Sequence, residues 1–187
     1  MERLTQNWVY GGFLAGILLL AIAPVVVAGW PPSLAMGYLF LPIYMIHQYE
    51  EHDRDRFRLF LNEKIGGGAE VMSRLAVFIV NVPGVWGVLA VSLTLAVCID
   101  TGYGLIAVYL VLVNALVHIL QGVRMRMYNP GLVTALVLFL PAGLYGLRAI
   151  QADGGGRGSM HALGLAIAVA IHVAIALHVK ARLRRPS

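Results

Sequence analysis

The sequence predicts an all-α, polytopic membrane bundle of about six transmembrane helices, both termini cytoplasmic, forming one domain over residues 1–187. Three observations predict it. First, 59% of the 187 residues are hydrophobic and only 12% are charged, with a mean hydropathy of +0.79; an ordinary soluble domain carries roughly a quarter charged residues. Second, the apolar residues gather into runs close to the roughly 20 residues a helix needs to cross about 30 Å of hydrocarbon. Third, threading those runs with both ends inside places nearly every Lys and Arg on one side, as the positive-inside rule requires.

The runs cover 9–29, 34–49, 75–99, 104–122, 131–150 and 161–179. The first is longer than the apolar core of a cleavable signal and reads as a signal anchor. Its Gly12 and Gly16 form a small-residue face that permits close helix approach; the oligomeric state is left open. The second is short and contains Pro42, which should free the carbonyl of Tyr38 and bend the helix. The third ends near Cys98, a lone cysteine read as packing. The fourth carries a polar stripe. The fifth is opened by Asn129-Pro130, a capping residue followed by a first-turn proline. The sixth starts at His161, read as a boundary residue. The glycine-rich stretches 66–68 and 153–158 read as flexible linkers; neither follows a strand, so neither supports nucleotide binding.

With both ends inside, the inner loops and termini hold Arg3, Arg54, Arg56, Arg58, Lys64, Arg74, Arg124, Arg126, Lys180, Arg182, Arg184 and Arg185, which is twelve of the fourteen basic residues. Arg148 and Arg157 fall outside. The net charge of +5 is therefore a topology signal and an attraction for anionic lipid head groups, not a nucleic-acid patch. The expected location is a bacterial-type inner or plasma membrane, with membrane lipid and a hydrophobic small molecule as partners and no nucleic acid.

Chemistry enters at MIHQYEEH, residues 45–52. Seven of the nine acids, Glu2, Asp53, Asp55, Glu63, Glu70, Asp100 and Asp153, fall in ends or loops; Glu50 and Glu51 stand at the margin of a span. His47 lies i, i+3 from Glu50 and i, i+4 from Glu51, so a helix gathers the three on one face. The simpler structural reading makes 50–56 a solvated stretch with its acids paired to arginines. Against it stands the depth of the other polar residues. Asn114, His118 and Gln121 form one stripe in the inner half of the fourth run. Asn81, His172 and His178 lie in the same half. Such residues are costly in lipid and face the bundle interior, which predicts one cavity on the cytoplasmic side. Simpler roles exist here too: Asn81 and Asn114 as interhelical hydrogen-bond glue worth about 0.6 to 2 kcal/mol each, and His178 as an interfacial residue. Arg126 and Tyr128 lie at the same level, where they can bind a polar or anionic head group.

His47, Glu50 and Glu51, then Phe60-Leu61-Asn62, VNALVHI around Asn114 and His118, and RMRMYNPGLVTALVLFLP over 124–141, resemble the HXXEE family of small integral membrane proteins. The resemblance covers about 34–141. It supports His47, Glu50, Glu51, Asn114 and His118 as the site and implies no reaction.

Two carboxylates with imidazoles are the ligand types of Zn, Fe or Mn centres, and a metal would let both acids stay ionised beside an apolar core. The leading expectation is a membrane metalloenzyme acting on a lipid or other hydrophobic substrate. His47, Glu50, Glu51, His118 and His172 are its candidate ligands. His47, Glu50, Glu51 and His118 are also its catalytic groups, and Asn114, Asn81, Arg126, Tyr128 and Gln121 its substrate contacts. Two alternatives stay open: a metal-free acid/base isomerase or cyclase of an isoprenoid-like olefin, with Glu50 or Glu51 as donor, and a proton-coupled transporter or sensor.

Overall fold

The computed structural model describes residues 2–184, and among them there is helix and turn but no strand. Arg185, one of the inner-side basic residues, lies outside that range. In chain order the helices are α1 (Glu2–Val26), α2 (Pro32–His52), the short α3 (Arg56–Phe60), α4 (Arg74–Cys98), α5 (Thr101–Met125), α6 (Leu132–Ala152) and α7 (Gly158–Leu183). Five of them, α1, α4, α5, α6 and α7, are long and apolar enough to cross a membrane. The chain is a membrane-type helical bundle.

With 21 residues α2 has the length of a span but not the same apolarity. The reason is its position. It packs against α1, α4, α5 and α6, so protein rather than lipid surrounds it, and Ser33, Tyr44, His47, Gln48, Glu51 and His52 are all buried. Pro42 sits within this helix, which continues past it without interruption.

The helices outrun the apolar runs that predict them. α1 starts at Glu2 because side chains of its polar first turns bond within the helix, Gln6 to the Glu2 carboxylate and Asn7 to the Arg3 carbonyl. α7 extends to Leu183, with Lys180 and Arg182 in a last turn where cations suit the helix dipole. Hydropathy marks the hydrocarbon slab, whereas backbone hydrogen bonding continues through the interface beyond it.

Trp8 and Val9 of α1, Leu61, Val71, Met72, Val77 of α4 and Val179 of α7 form one buried cluster. It fixes the first turns of α1, the last turns of α7 and the 53–73 connection at one end of the bundle. The central core is built from α2, α4, α5 and α6 around Phe40, Tyr44, Leu110, Val111 and Phe139.

Both glycine stretches are hydrogen-bonded turns rather than flexible linkers. The amide of Gly68 donates to the Asn62 carbonyl at 2.8 Å, and Gly67 and Gly68 take left-handed φ angles of 59° and 95°. Asn62 closes the connection, donating Nδ2 to the Met72 carbonyl and accepting the Met72 amide on Oδ1. At the opposite end Arg157 pairs with Asp100 at 2.7 Å, and Ser33 donates to Asp153. Cys98 is exposed at the end of α4 and is not a packing residue.

Gly12 and Gly16 are used within the chain. A Cβ on Gly12 would lie 2.8 Å from the Trp86 ring, and one on Gly16 would lie 3.0 Å from Met45 Cβ and 3.2 Å from the Pro42 carbonyl. The small-residue face therefore seats α1 on α2 and α4.

Candidate metal centre

The last turns of α2 bring His47 and Glu51 onto one face, as i, i+4 spacing dictates, and α5 brings His118 to the same level. His47 Nε2 lies 3.7 Å from Glu51 Oε2, and His118 Nε2 lies 3.6 Å from Glu51 Oε1. The two imidazole centroids are 5.1 Å apart. One donor atom from each residue can be chosen so that all lie within 4.8 Å of one another. Two ligands at about 2.1 Å from a tetrahedral ion sit about 3.4 Å apart, so the spacing is that of one shared cation with little adjustment. His47, His118 and Glu51 are 0%, 3% and 5% exposed.

The surroundings fix which nitrogen of each imidazole is free. Asn129 donates Nδ2 to the His118 carbonyl at 2.9 Å, so its Oδ1, 2.7 Å from His118 Nδ1, is the acceptor. His118 therefore carries its proton on Nδ1. Thr134 donates its hydroxyl to Glu50 Oε2, so its oxygen, 2.8 Å from His47 Nδ1, accepts from that ring. His47 too is protonated on Nδ1. Both Nε2 lone pairs thus face Glu51, and His47 Nε2 is buried with no hydrogen-bond partner among the described residues. Orientation of a ligating imidazole through its far nitrogen is the usual outer arrangement of a metal site.

Glu50, expected as a ligand, turns away. Its carboxylate accepts the amides of Val133 at 3.2 Å and Thr134 at 2.7 Å, together with the hydroxyls of Thr134 and Tyr128. Those amides are the second and third of α6, which begins after Gly131. An anion there satisfies unpaired N–H groups and suits the helix dipole. Glu50 is thus a cap supplied by another helix. Asn129, expected to cap α6, is instead committed to His118. The spacing argument cannot separate i+3 from i+4 on a helix; only the position of α6 does.

Gly131 explains how the loop fits. Its φ is 96°, and a Cβ there would meet His118 Cε1 at 2.7 Å and His47 Cε1 at 2.9 Å. Only glycine meets both demands.

Glu51 and His118 line a cavity of about 480 Å³ that also reaches Tyr44, Asn114, Gln121 and His172. His172 stands on its wall with Nδ1 bonded to the Ala168 carbonyl, apart from the three converging groups. Asn114 lines the cavity with a buried Oδ1 that has no hydrogen-bond partner among the described residues. Asn81 borders it too, but its polar atoms are engaged: Oδ1 accepts from Gln48 and Nδ2 donates to the Val77 carbonyl. It is interhelical glue. Arg126 and Tyr128 lie outside, on a separate groove with Leu132 and Leu136. Tyr128 serves Glu50, and Arg126 takes the left-handed position that ends α5. His178 is exposed.

The sequence reading missed His52. Its Nε2 approaches Glu51 Oε2 at 3.0 Å, and its ring packs against Trp8 and Phe57. Adjacent residues on a helix point about 100° apart, so no spacing rule pairs His52 with Glu51.

Residues 38–146 match the family described as "Protein of unknown function with HXXEE motif". His47, Glu51, His118, Asn129 and Thr134 all fall within the match. No curated protein and no solved structure matches the chain.

Proposed function

The chain belongs to the HXXEE family, whose function is unknown, so from the geometry of the site we propose a membrane-embedded, metal-dependent enzyme acting on a hydrophobic substrate. His47, Glu51 and His118 hold one divalent ion of the Zn, Fe or Mn class. The observation that carries this reading is the convergence of two imidazoles, each with Nδ1 engaged and Nε2 free, on one buried carboxylate. Two histidines and one carboxylate are the ligands of catalytic zinc and non-haem iron sites, which keep a position open for substrate or water. When bound, the ion supplies Lewis acidity or an activated water. The chain's residues do the rest: Glu50 and Thr134 orient His47, Asn129 orients His118, and Asn114 offers an acceptor to whatever enters the cavity.

The test is elemental analysis of detergent-purified protein by plasma mass spectrometry. Near-stoichiometric metal is expected, lost in Glu51→Gln and in His118→Ala and retained in Asn114→Ala. A wild type that stays metal-free after supplementation overturns the reading.

His52 favours a second reading. An imidazole 3.0 Å from the buried Glu51 carboxylate can share one proton with it without a metal, and the pair can give that proton to an apolar olefin and take another back from the resulting cation, as an acid/base isomerase or cyclase does. The metal-free outcome above selects it.

A further inference from the structure

The cavity in front of Glu51 and His118 lies beside a groove on the outer surface of the bundle. α7 packs mainly along α5, and between α7 and α4 runs an apolar groove of about 460 Å³ with Ile79, Gly84 and Ala174 on its walls. Met72, Val80, Ile171 and Ile175 line both the groove and the 480 Å³ cavity, so the two adjoin along these side chains.

The path is graded in polarity. Val85, Leu110 and Ile171 line the part toward the bundle middle; Asn114, His118 and Gln121 lie further toward the end where α5 finishes; Lys180 lines the wall beside the last turn of α7. Lys180 forms no ion pair among the described residues. A lipid of the adjoining leaflet presents the same sequence of apolar tail, polar junction and charged head. The size is also informative. At about 30 Å³ per water-sized group, the cavity alone holds about sixteen such groups, the size of one chain with its head. Because lipid tails are as apolar as the groove, burial of the tail gives no net drive for entry, and selection falls to the polar end.

We propose that this site takes a single-chain amphiphile with an acidic head group, carboxylate or phosphate, which enters sideways between α4 and α7 and places its head between Lys180 and the His/Glu cluster. The proposal rests on the reading of that cluster as a site for a hydrophobic substrate, and it names the substrate class.

Photo-crosslinking in lipid vesicles tests it, with a diazirine-bearing palmitic acid and the matching hexadecanol as probes. The acid should label the groove-lining residues of α4 and α7 in preference to other lipid-facing helices, and more strongly than the alcohol does. Lys180→Gln should bring the acid down to the alcohol's level. Ala174→Trp, which fills the groove, should lose labelling by both probes, whereas Leu14→Trp on the exposed face of α1 should not. Labelling spread evenly over the lipid-facing helices, or unchanged in Ala174→Trp, overturns the site; equal labelling by the two probes in the wild type overturns the acidic head group. Metal content measured on the same samples separates the two readings. A metal-loaded protein with no groove labelling fails this proposal alone, and a metal-free protein with specific labelling fails the metal assignment alone.

Discussion

Glu50 and Glu51 adjoin in sequence but point to different neighbours: one caps α6, and the other faces two imidazoles. Their isosteric variants should separate accordingly. Glu51→Gln removes a ligand and the metal with it. Glu50→Gln still presents one acceptor to α6 and should keep the metal while losing about 1 kcal/mol of stability, read as a lower Tm in detergent. Thr134 links the two acids' roles, because its hydroxyl accepts from His47 and donates to Glu50. Thr134→Val should weaken metal affinity by about 10- to 100-fold in competition with a chelator, and Thr134→Ser should restore it; equal affinity in both would show that the relay does not orient His47. Gly131→Ala adds a Cβ at 2.7 Å from His118 Cε1 on a backbone that disfavours it, with an expected loss of about 1 to 3 kcal/mol. At this scale the sequence was half legible. His47 and Glu51 announce themselves by i, i+4 spacing and His118 by its polar stripe. Asn129, Thr134 and Gly131 look like ordinary turn and cap residues, because their role exists only once α6 has docked on α2 and α5.

The helices themselves were read well for the same physical reason that their ends were not. An apolar run is a direct record of the lipid slab, so α1, α4, α5, α6 and α7 are plain in the sequence. Polar flanks such as 2–7 of α1 or 180–183 of α7 continue the helix without any hydropathy signal. α2 inverts the rule, since its surroundings are protein and its polar residues are the site. How the helices are pinned is testable at each end of the bundle. Gly12 lets α1 approach the Trp86 ring, and Gly12→Leu should cost about 1 to 3 kcal/mol by overpacking, seen as a lower Tm with the metal content kept. At the opposite end the Gly102 amide, and after it Arg157, hold the Asp100 carboxyl below its ordinary value. A group whose pKa is lowered by folding stabilises the fold above its unfolded value of about 3.9, and that contribution is lost as pH falls through the folded value. The Tm should therefore drop in acid, and Asp100→Asn should show a smaller drop than the wild type; an identical acid response would exclude the Asp100 lock.

For the molecule as a whole, the decisive relation is between charge and site. The end of the bundle that gathers Trp8, Leu61, Val71 and Val179 also carries the connections richest in Arg and Lys. His47 and Glu51 near the end of α2, His118 near the end of α5 and Thr134 at the start of α6 lie toward this same end. From the positive-inside rule we propose that this end faces the cytoplasm. The acids of the 53–73 connection do not cancel this bias, because the rule counts Lys and Arg rather than net charge. Asp55 is in any case already paired with Arg58 and Arg74. In a Cys98→Ala background, a cysteine replacing the exposed Glu63 should react with a membrane-impermeant maleimide only after the cytoplasmic face is opened. A cysteine replacing the exposed Gln151 should react from outside in intact cells. The reverse pattern would turn the bundle over: the His/Glu site would then draw on the outer leaflet, and Lys180 would meet a different population of acidic lipids.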